Sequence, residues 1–395
     1  MYEDKAPDSV WAGRSGRRRW SRRPVSARLL WRSGRENGSP GAPLGTWAVD
    51  GTLALARPDG VRAYGLTTGE PLWSWQPPGD GGQVIAHASQ DAADGVIVVL
   101  HHDDGHGDHE HGDDGRANDG HGDDQHTNGD HRDDRHTNDD HARVWHVRLT
   151  GLDLRTGTAV WTRDQRADEL GSVGADSPEV ALGGGRVAAA TARARDGGTE
   201  TTVRVLDART GTLQWERPLP EGRQDAFVLT AGPVVVSTAG PGEPAPPDVR
   251  LRLHVVSEDV EQAVELPPLY EAFGAHPVIV GDTLAVELVP PQPYDTEHMG
   301  STLRAVSAAT GEFRWSWSST YGRTIFPLAH RGALVVLNGY GDRATVLDPA
   351  DGRVVAERSL PGYSYRARLV ASGDCLAVVC TAPRTATRVR VFRWK

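Results

Sequence analysis

The stretch VLDARTGTLQW, residues 205–215, reads as two short strands folded over one tight turn. Apolar and polar residues alternate through VRVLD (203–207), the period-two pattern of a strand with one buried face. Asp207 is placed to accept backbone hydrogen bonds across the turn and Gly211 to take the left-handed conformation that closes it, after which a second strand carries Trp215 at a fixed offset. The unit recurs as AYGLTTGEPLW (63–73), GLDLRTGTAVW (151–161) and AVSAATGEFRW (305–315). Gly69 thereby aligns with Trp73, Gly157 with Trp161 and Gly311 with Trp315, while Asp153 stands where Asp207 does. VLDPADGRVVA (346–356) keeps Asp348 and Gly352 but ends on Ala356, and VVSEDVEQAVE (255–265) keeps only the spacing.

Upstream of each unit lies a further apolar strand. GTLALA, GVIVVL, GRVAAA, GPVVVS, DTLAVE, GALVVL and DCLAVV make seven in all. Successive tryptophan-equivalent positions are 88, 54, 50, 50 and 41 residues apart, and the first gap falls to 47 once residues 101–141 are set aside. Repeats of roughly 40–50 residues holding about four short strands are the blades of a β-propeller, and closing them into a ring leaves only short protected edges. The expected fold is all-β: one propeller of seven four-stranded blades, with eight as the alternative, over residues 24–395, preceded by a basic disordered arm at 1–23. The last blade lacks an outer strand after RVRVFRW (388–394). PVSARLLWRSG (24–34), with Trp31 in the tryptophan role, is expected to supply it and close the ring.

Composition agrees. The 395 residues include 46 Gly and 26 Pro, which suits many turns, and no stretch approaches the roughly 20 apolar residues of a membrane span. Arginines cluster near the N-terminus, but VSARLLW is too short and too interrupted by Arg28 for an export signal, and no cysteine stands near the start for lipidation. A soluble, cytoplasmic, monomeric protein is expected. Cys375 and Cys380, five positions apart in one strand, point to opposite faces and cannot bridge each other. The net charge of −10 is uneven: an excess of basic residues in 1–35 and of acidic ones in 101–141 leaves the body close to neutral, so nucleic acid is not an expected partner.

Residues 101–140 divide into four decapeptides, HHDDGHGDHE, HGDDGRANDG, HGDDQHTNGD and HRDDRHTNDD, with His141 opening a fifth. Their period of five matches neither strand nor helix, and Ala117 is their only apolar residue, so the insert is expected to be a disordered loop on the second blade. Ten of the 16 histidines lie here. His121, His126, His131, His136 and His141, with Asp123 and Asp133, form a flexible donor set suited to Zn²⁺, Ni²⁺ or Cu²⁺. The competing reading is an expansion in a loop that tolerates length. His254, His276, His298 and His330 are scattered over other repeats and read as surface or loop residues.

The A-x-D-x-x-T-G-x-x-x-W unit resembles the tryptophan-docking repeat of the pyrroloquinoline-quinone (PQQ) propeller family, over residues 45–395 apart from the insert. The resemblance implies that each tryptophan docks against the neighbouring blade. It is silent on activity. The family's quinoprotein enzymes carry adjacent cysteines over the cofactor, calcium ligands and a catalytic aspartate. This chain has no adjacent cysteines, and Asp153, Asp207 and Asp348 are explained by their turns. No P-loop, HExxH or G-x-S-x-G appears, and GGGR (183–186) runs into a strand rather than a helix. The expected function is a non-enzymatic scaffold engaging protein partners on one face of the ring, without cofactor. The first alternative is a metal-binding protein using the His/Asp loop, and the second is a quinoprotein-like oxidoreductase.

Overall fold

The computed structural model describes residues 25–33, 43–79, 82–87, 94–103, 146–166, 180–195, 198–219, 226–239, 251–256, 258, 261–265, 277–288, 302–319, 326–338, 342–361, 367–380 and 387–394. Its strands build seven blades in a ring. Blades one to six run in chain order over Gly45–Trp75, Gln83–Arg166, Val180–Pro218, Ala226–Glu265, Val278–Ser318 and Phe326–Ser359, each with four antiparallel strands. Blade seven takes three strands from Ala367–Arg393 and its fourth from Arg28–Arg32, which lies antiparallel to Arg388–Arg393 with Leu29 opposite Phe392 and Trp31 opposite Val391.

The core follows from period-two alternation in strands covered on both sides. In Thr52–Arg57, Leu53 and Leu55 pack against blade seven while Ala54 and Ala56 pack against blade two. In Val234–Ala239, Val234 and Val236 face blade three and Val235 faces blade five. Seven apolar clusters result, and each straddles one seam between neighbouring blades. The seam between blades seven and one, where Val379 and Val391 meet Leu53 and Leu66, closes the circle.

One connection was not foreseen from the sequence. Before joining blade seven, Val25–Ser26 pairs in parallel with the outer edge of blade six, Val25 opposite Arg358 and Ser26 opposite Ser359. Ala27 then buries itself in the seam between those blades. Nine residues, 25–33, thus bind blade six, complete blade seven and deliver Trp31 to blade one.

Two sequence expectations are corrected. The spacing placed Glu265 at the tryptophan position of the fourth blade, but the ladder runs Val256 to Glu261 and Val255 to Gln262 without a bulge. In blade three the equivalent pairs are Leu206 to Leu213 and Val205 to Trp215, across a longer turn and a bulge. Position 262 is therefore the structural counterpart of Trp215. The insert also starts later than Leu100, because the second strand of blade two continues as Val96–Asp103 and its partner begins at His146.

Candidate functional site

Four tryptophans dock in the same way. The indole N–H of Trp31 donates to the Leu66 carbonyl at 2.8 Å, that of Trp73 to Leu154 at 2.9 Å, that of Trp161 to Ala208 at 2.8 Å and that of Trp315 to Pro349 at 2.8 Å. Each acceptor lies in the turn of the next blade, so the indole buries its ring and still satisfies its one donor. The floor beneath each ring is the turn glycine. A Cβ on Gly157 would stand 2.5 Å from Trp73, and one on Gly211 would stand 2.6 Å from Trp161. Both glycines also have positive φ, 72° and 66°, so glycine serves conformation and clearance together.

The aspartates fix the turns. Asp207 accepts from the backbone N–H of Arg209 and Thr210, at 3.0 and 2.9 Å, and from the Thr210 hydroxyl. The Thr210 hydrogen bonds outweigh burial and, with Arg209, hold its carboxyl below the ordinary value. For Asp153 burial is the largest influence and pushes upward, but the combined bonds from Thr156 and Arg155 still lower it. Ser307 replaces the aspartate in blade five, and there Asp282 from the adjacent hairpin accepts from Ser307 and from the Ala309 N–H and pairs with Arg314. The serine is visible in the aligned unit, but spacing gave no sign of the part Asp282 plays, since it lies outside the repeat.

Three seams depart from the pattern. Trp215 packs on the blade three to four cluster, but blade four has no glycine in its turn, of which only Glu258 is a described residue. The fourth blade offers the fifth no tryptophan at position 262. In blade six Ala356 lies opposite Val346 where a tryptophan stands elsewhere, and that seam is filled from the other side by Trp394, under the Arg358 guanidinium at 5.9 Å.

The two faces of the ring differ. One carries two-residue turns between first and second strands in six blades, at residues 50–51, 184–185, 232–233, 281–282, 331–332 and 373–374, beside the docking turns. The opposite face carries the connections from second to third strand and from blade to blade, where most of the chain's length variation lies. The insert opens onto that face. Its candidate ligands His121, His126, His131, His136, His141, Asp123 and Asp133 lie outside the described residues. His101 and His102, which open the first decapeptide, are strand residues. His101 is fully buried, hydrogen-bonded to Thr150 Oγ1 at 2.9 Å and edge-on to Trp75 at 5.4 Å, so it belongs to the seam with blade one.

The other histidines divide similarly. His254 is buried in the third strand of blade four rather than on the surface, and His276 and His298 lie outside the described residues. His330 ends the first strand of blade six and hydrogen-bonds to Gly373 of blade seven. Burial pushes its imidazole below the ordinary value, with the Arg331 charge adding to that and the Gly373 bond opposing it. Cys375 and Cys380 form no disulfide and are buried, facing blades one and six respectively. Burial, and then the Asp374 charge, raises the Cys375 thiol, with Arg393 opposing. Among the described residues no group of three or more His, Cys, Asp or Glu side chains is placed to hold a metal, and no helix is long and apolar enough to cross a membrane.

Seven blades in a ring, four of their seams held by a docked indole, define a tryptophan-docking β-propeller. The model of the PQQ-like repeat family described as "Outer membrane protein assembly factor BamB" matches residues 11–243, more than half of the chain. The chain belongs to this family. Among solved structures it is similar to BamB from Moraxella catarrhalis, at 14% identity and TM-score 0.39 over 90% of this chain and 84% of that one. It is also similar to the WD40 β-propeller domain of Doa1, at 12% identity and TM-score 0.48 over 94% and 98% of the two chains. A third, at 8% identity and TM-score 0.43 over 90% and 94%, is protein lmo1340 from Listeria monocytogenes EGD-e. No curated protein matches the chain.

Proposed function

We propose that the protein is a non-enzymatic scaffold that holds protein partners on the long-connection face of the ring. The observation that supports this reading is the asymmetry between faces: one carries two-residue first-to-second-strand turns in six blades beside the docking turns, while second-to-third-strand connections on the other range from residues 58–59 to residues 104–145. Loops freed from packing duties on a rigid frame are where binding surfaces evolve. The step from propeller to scaffold otherwise rests on analogy of fold. Photo-crosslinking residues at Asp59 and Gln76 on the long-connection face, and at Thr67 and Arg209 on the opposite face, test it in cells. All four positions are exposed. Discrete crosslinked proteins from the first pair only are expected, and crosslinks confined to the second pair contradict the proposal.

A second reading is favoured by one observation, the alternation of His and Asp at a period of five in the insert. In this reading the loop binds Zn²⁺, Ni²⁺ or Cu²⁺ through sets of three or four imidazoles. Titration calorimetry of the full chain and of a chain with residues 104–145 replaced by a two-residue turn checks it. Tight stoichiometric binding lost on deletion supports a metal role, and weak multi-site binding marks the loop as an expansion.

A further inference from the structure

The first-to-second-strand turns of blades six and seven are joined across a seam whose outer strand offers Ala356 in place of a docking tryptophan. Two links connect them. The Arg331 guanidinium stands 3.8 Å from the Asp374 carboxylate, with both side chains about half exposed, so that pair adds little in water. The second link is buried. One ring nitrogen of His330 is hydrogen-bonded to the Gly373 backbone, while the other, Nε2, is shut off from solvent and bonded by none of the described residues. The turn that follows this imidazole has an uncommon composition. Arg331 has φ 50° and Gly332 φ 71°, the pair of left-handed residues that a two-residue turn between twisted strands requires. At the first of these positions blades one and two have Asp50 and Asp94 and blade three has Gly184, residue types that visit this region readily, as arginine does not. The turn thus fixes a permanent cation directly after a half-buried imidazole.

We infer that His330 is a proton-operated catch between these two turns: neutral, it ties them together; protonated, it leaves the seam and frees each turn from the other. A proton on Nε2 puts a second positive charge beside Arg331 and creates a buried N–H with no acceptor. The bond to Gly373 favours the charged ring, but burial and Arg331 together outweigh it. The surrounding charges are engaged elsewhere. On blade seven Asp374 faces Arg331 and the Cys375 thiol, which Arg393 also approaches. In the blade five turn Asp282 is held by Arg314 and Ser307, and in the blade six docking turn Asp348 and Asp351 flank Arg353. Among the described residues Arg331 is the one charge that acts on the imidazole. Release stays local, because the apolar cluster behind the catch, including Leu328, Val335, Leu369 and Phe392, does not titrate. The catch lies on the docking-turn face and is independent of the scaffold proposal.

Hydrogen exchange of the full chain at pH 7.5 and pH 5.5, normalised to the intrinsic rate at each pH, tests this at the rungs His330–Ala333 and Ser372–Cys375. In the parent, protection is expected to fall severalfold at both rungs in acid. For a group of ordinary value 6.5, about tenfold is the ceiling at pH 5.5. His330→Gln, neutral at either pH, is expected to show no such fall. Arg331→Gln, which removes the repulsion, is expected to show a smaller fall than the parent. The equivalent rung of blade three, Gly183–Arg186, is expected to keep its protection in every protein. No fall in the parent, an equal fall in His330→Gln, or an equal fall at the blade three rung overturns the inference. Should His330→Gln fail to fold, Arg331→Gln decides alone, and a fall as large as the parent's overturns the catch.

Discussion

A docked indole and its glycine are one structural unit, and each fails without the other. Trp161→Ala removes a half-buried ring and the hydrogen bond to Ala208, with an expected cost of about 3 kcal/mol. Gly211→Ala forces a Cβ to 2.6 Å from that ring at φ 66°. Left-handed strain of about 1–2 kcal/mol combines with displacement of the ring, so the expected loss is comparable. Because both act on one contact, the double variant is expected to lose far less than the sum, and urea unfolding of the four proteins measures this. His330 gives a pH test at the same scale. Its folded pKa lies below the ordinary 6.5, so the neutral ring contributes stability that is present above about pH 6.5 and lost as pH falls through the folded value. The fall in urea midpoint from pH 8 to pH 5.5 should therefore be smaller in His330→Gln than in the parent. Both cysteines are buried, so alkylation by iodoacetamide is expected only at the rate of unfolding.

At the scale of elements, the hairpin of blade two decides how the insert can be removed. Asp103 pairs with His146 at its last described rung, so replacing 104–145 by a two-residue turn leaves every described rung intact and is expected to leave Tm unchanged to within about half a degree. Deleting 101–141 removes His101 from the seam beside Trp75 and is expected to lower Tm by about 1–3 °C, as a core loss of about 1–2 kcal/mol implies for a chain of this length. Thermal melts of both proteins separate these outcomes. The decapeptide period in the sequence concealed that boundary, because a histidine that opens a polar repeat also fits a buried rung when a threonine faces it. Turns were more legible. Asp207, Gly211 and Trp161 could be assigned because each has a single physical reason that survives translation into spacing. Blade four was misregistered because its turn had shortened and its bulge had gone together, changes that spacing alone cannot reveal.

The whole molecule is a ring of seven seams, and the sequence showed that count because every second strand is apolar on both faces. Closure by Arg28–Arg32 was legible from one missing strand and one spare tryptophan. The strap on blade six was not, since Val25 and Ser26 carry no pattern of their own. The candidate interaction face was legible only in part: the insert announced it, but the contrast between faces depends on which connections are two residues long. Trp31→Ala should act at this scale, loosening the seam between blades seven and one. Its expected cost of about 3 kcal/mol should be accompanied by faster hydrogen exchange in both Arg28–Arg32 and Arg388–Arg393, since the two pair. The most direct test of the scaffold proposal is the crosslinking yield at Asp59 in cells, compared between the full chain and the chain lacking 104–145. The same crosslinked partners at similar yield are expected in both, because the ring presents the surface. Loss of every crosslink on deletion, with the ring still folded, would contradict it and transfer the function to the histidine-rich loop.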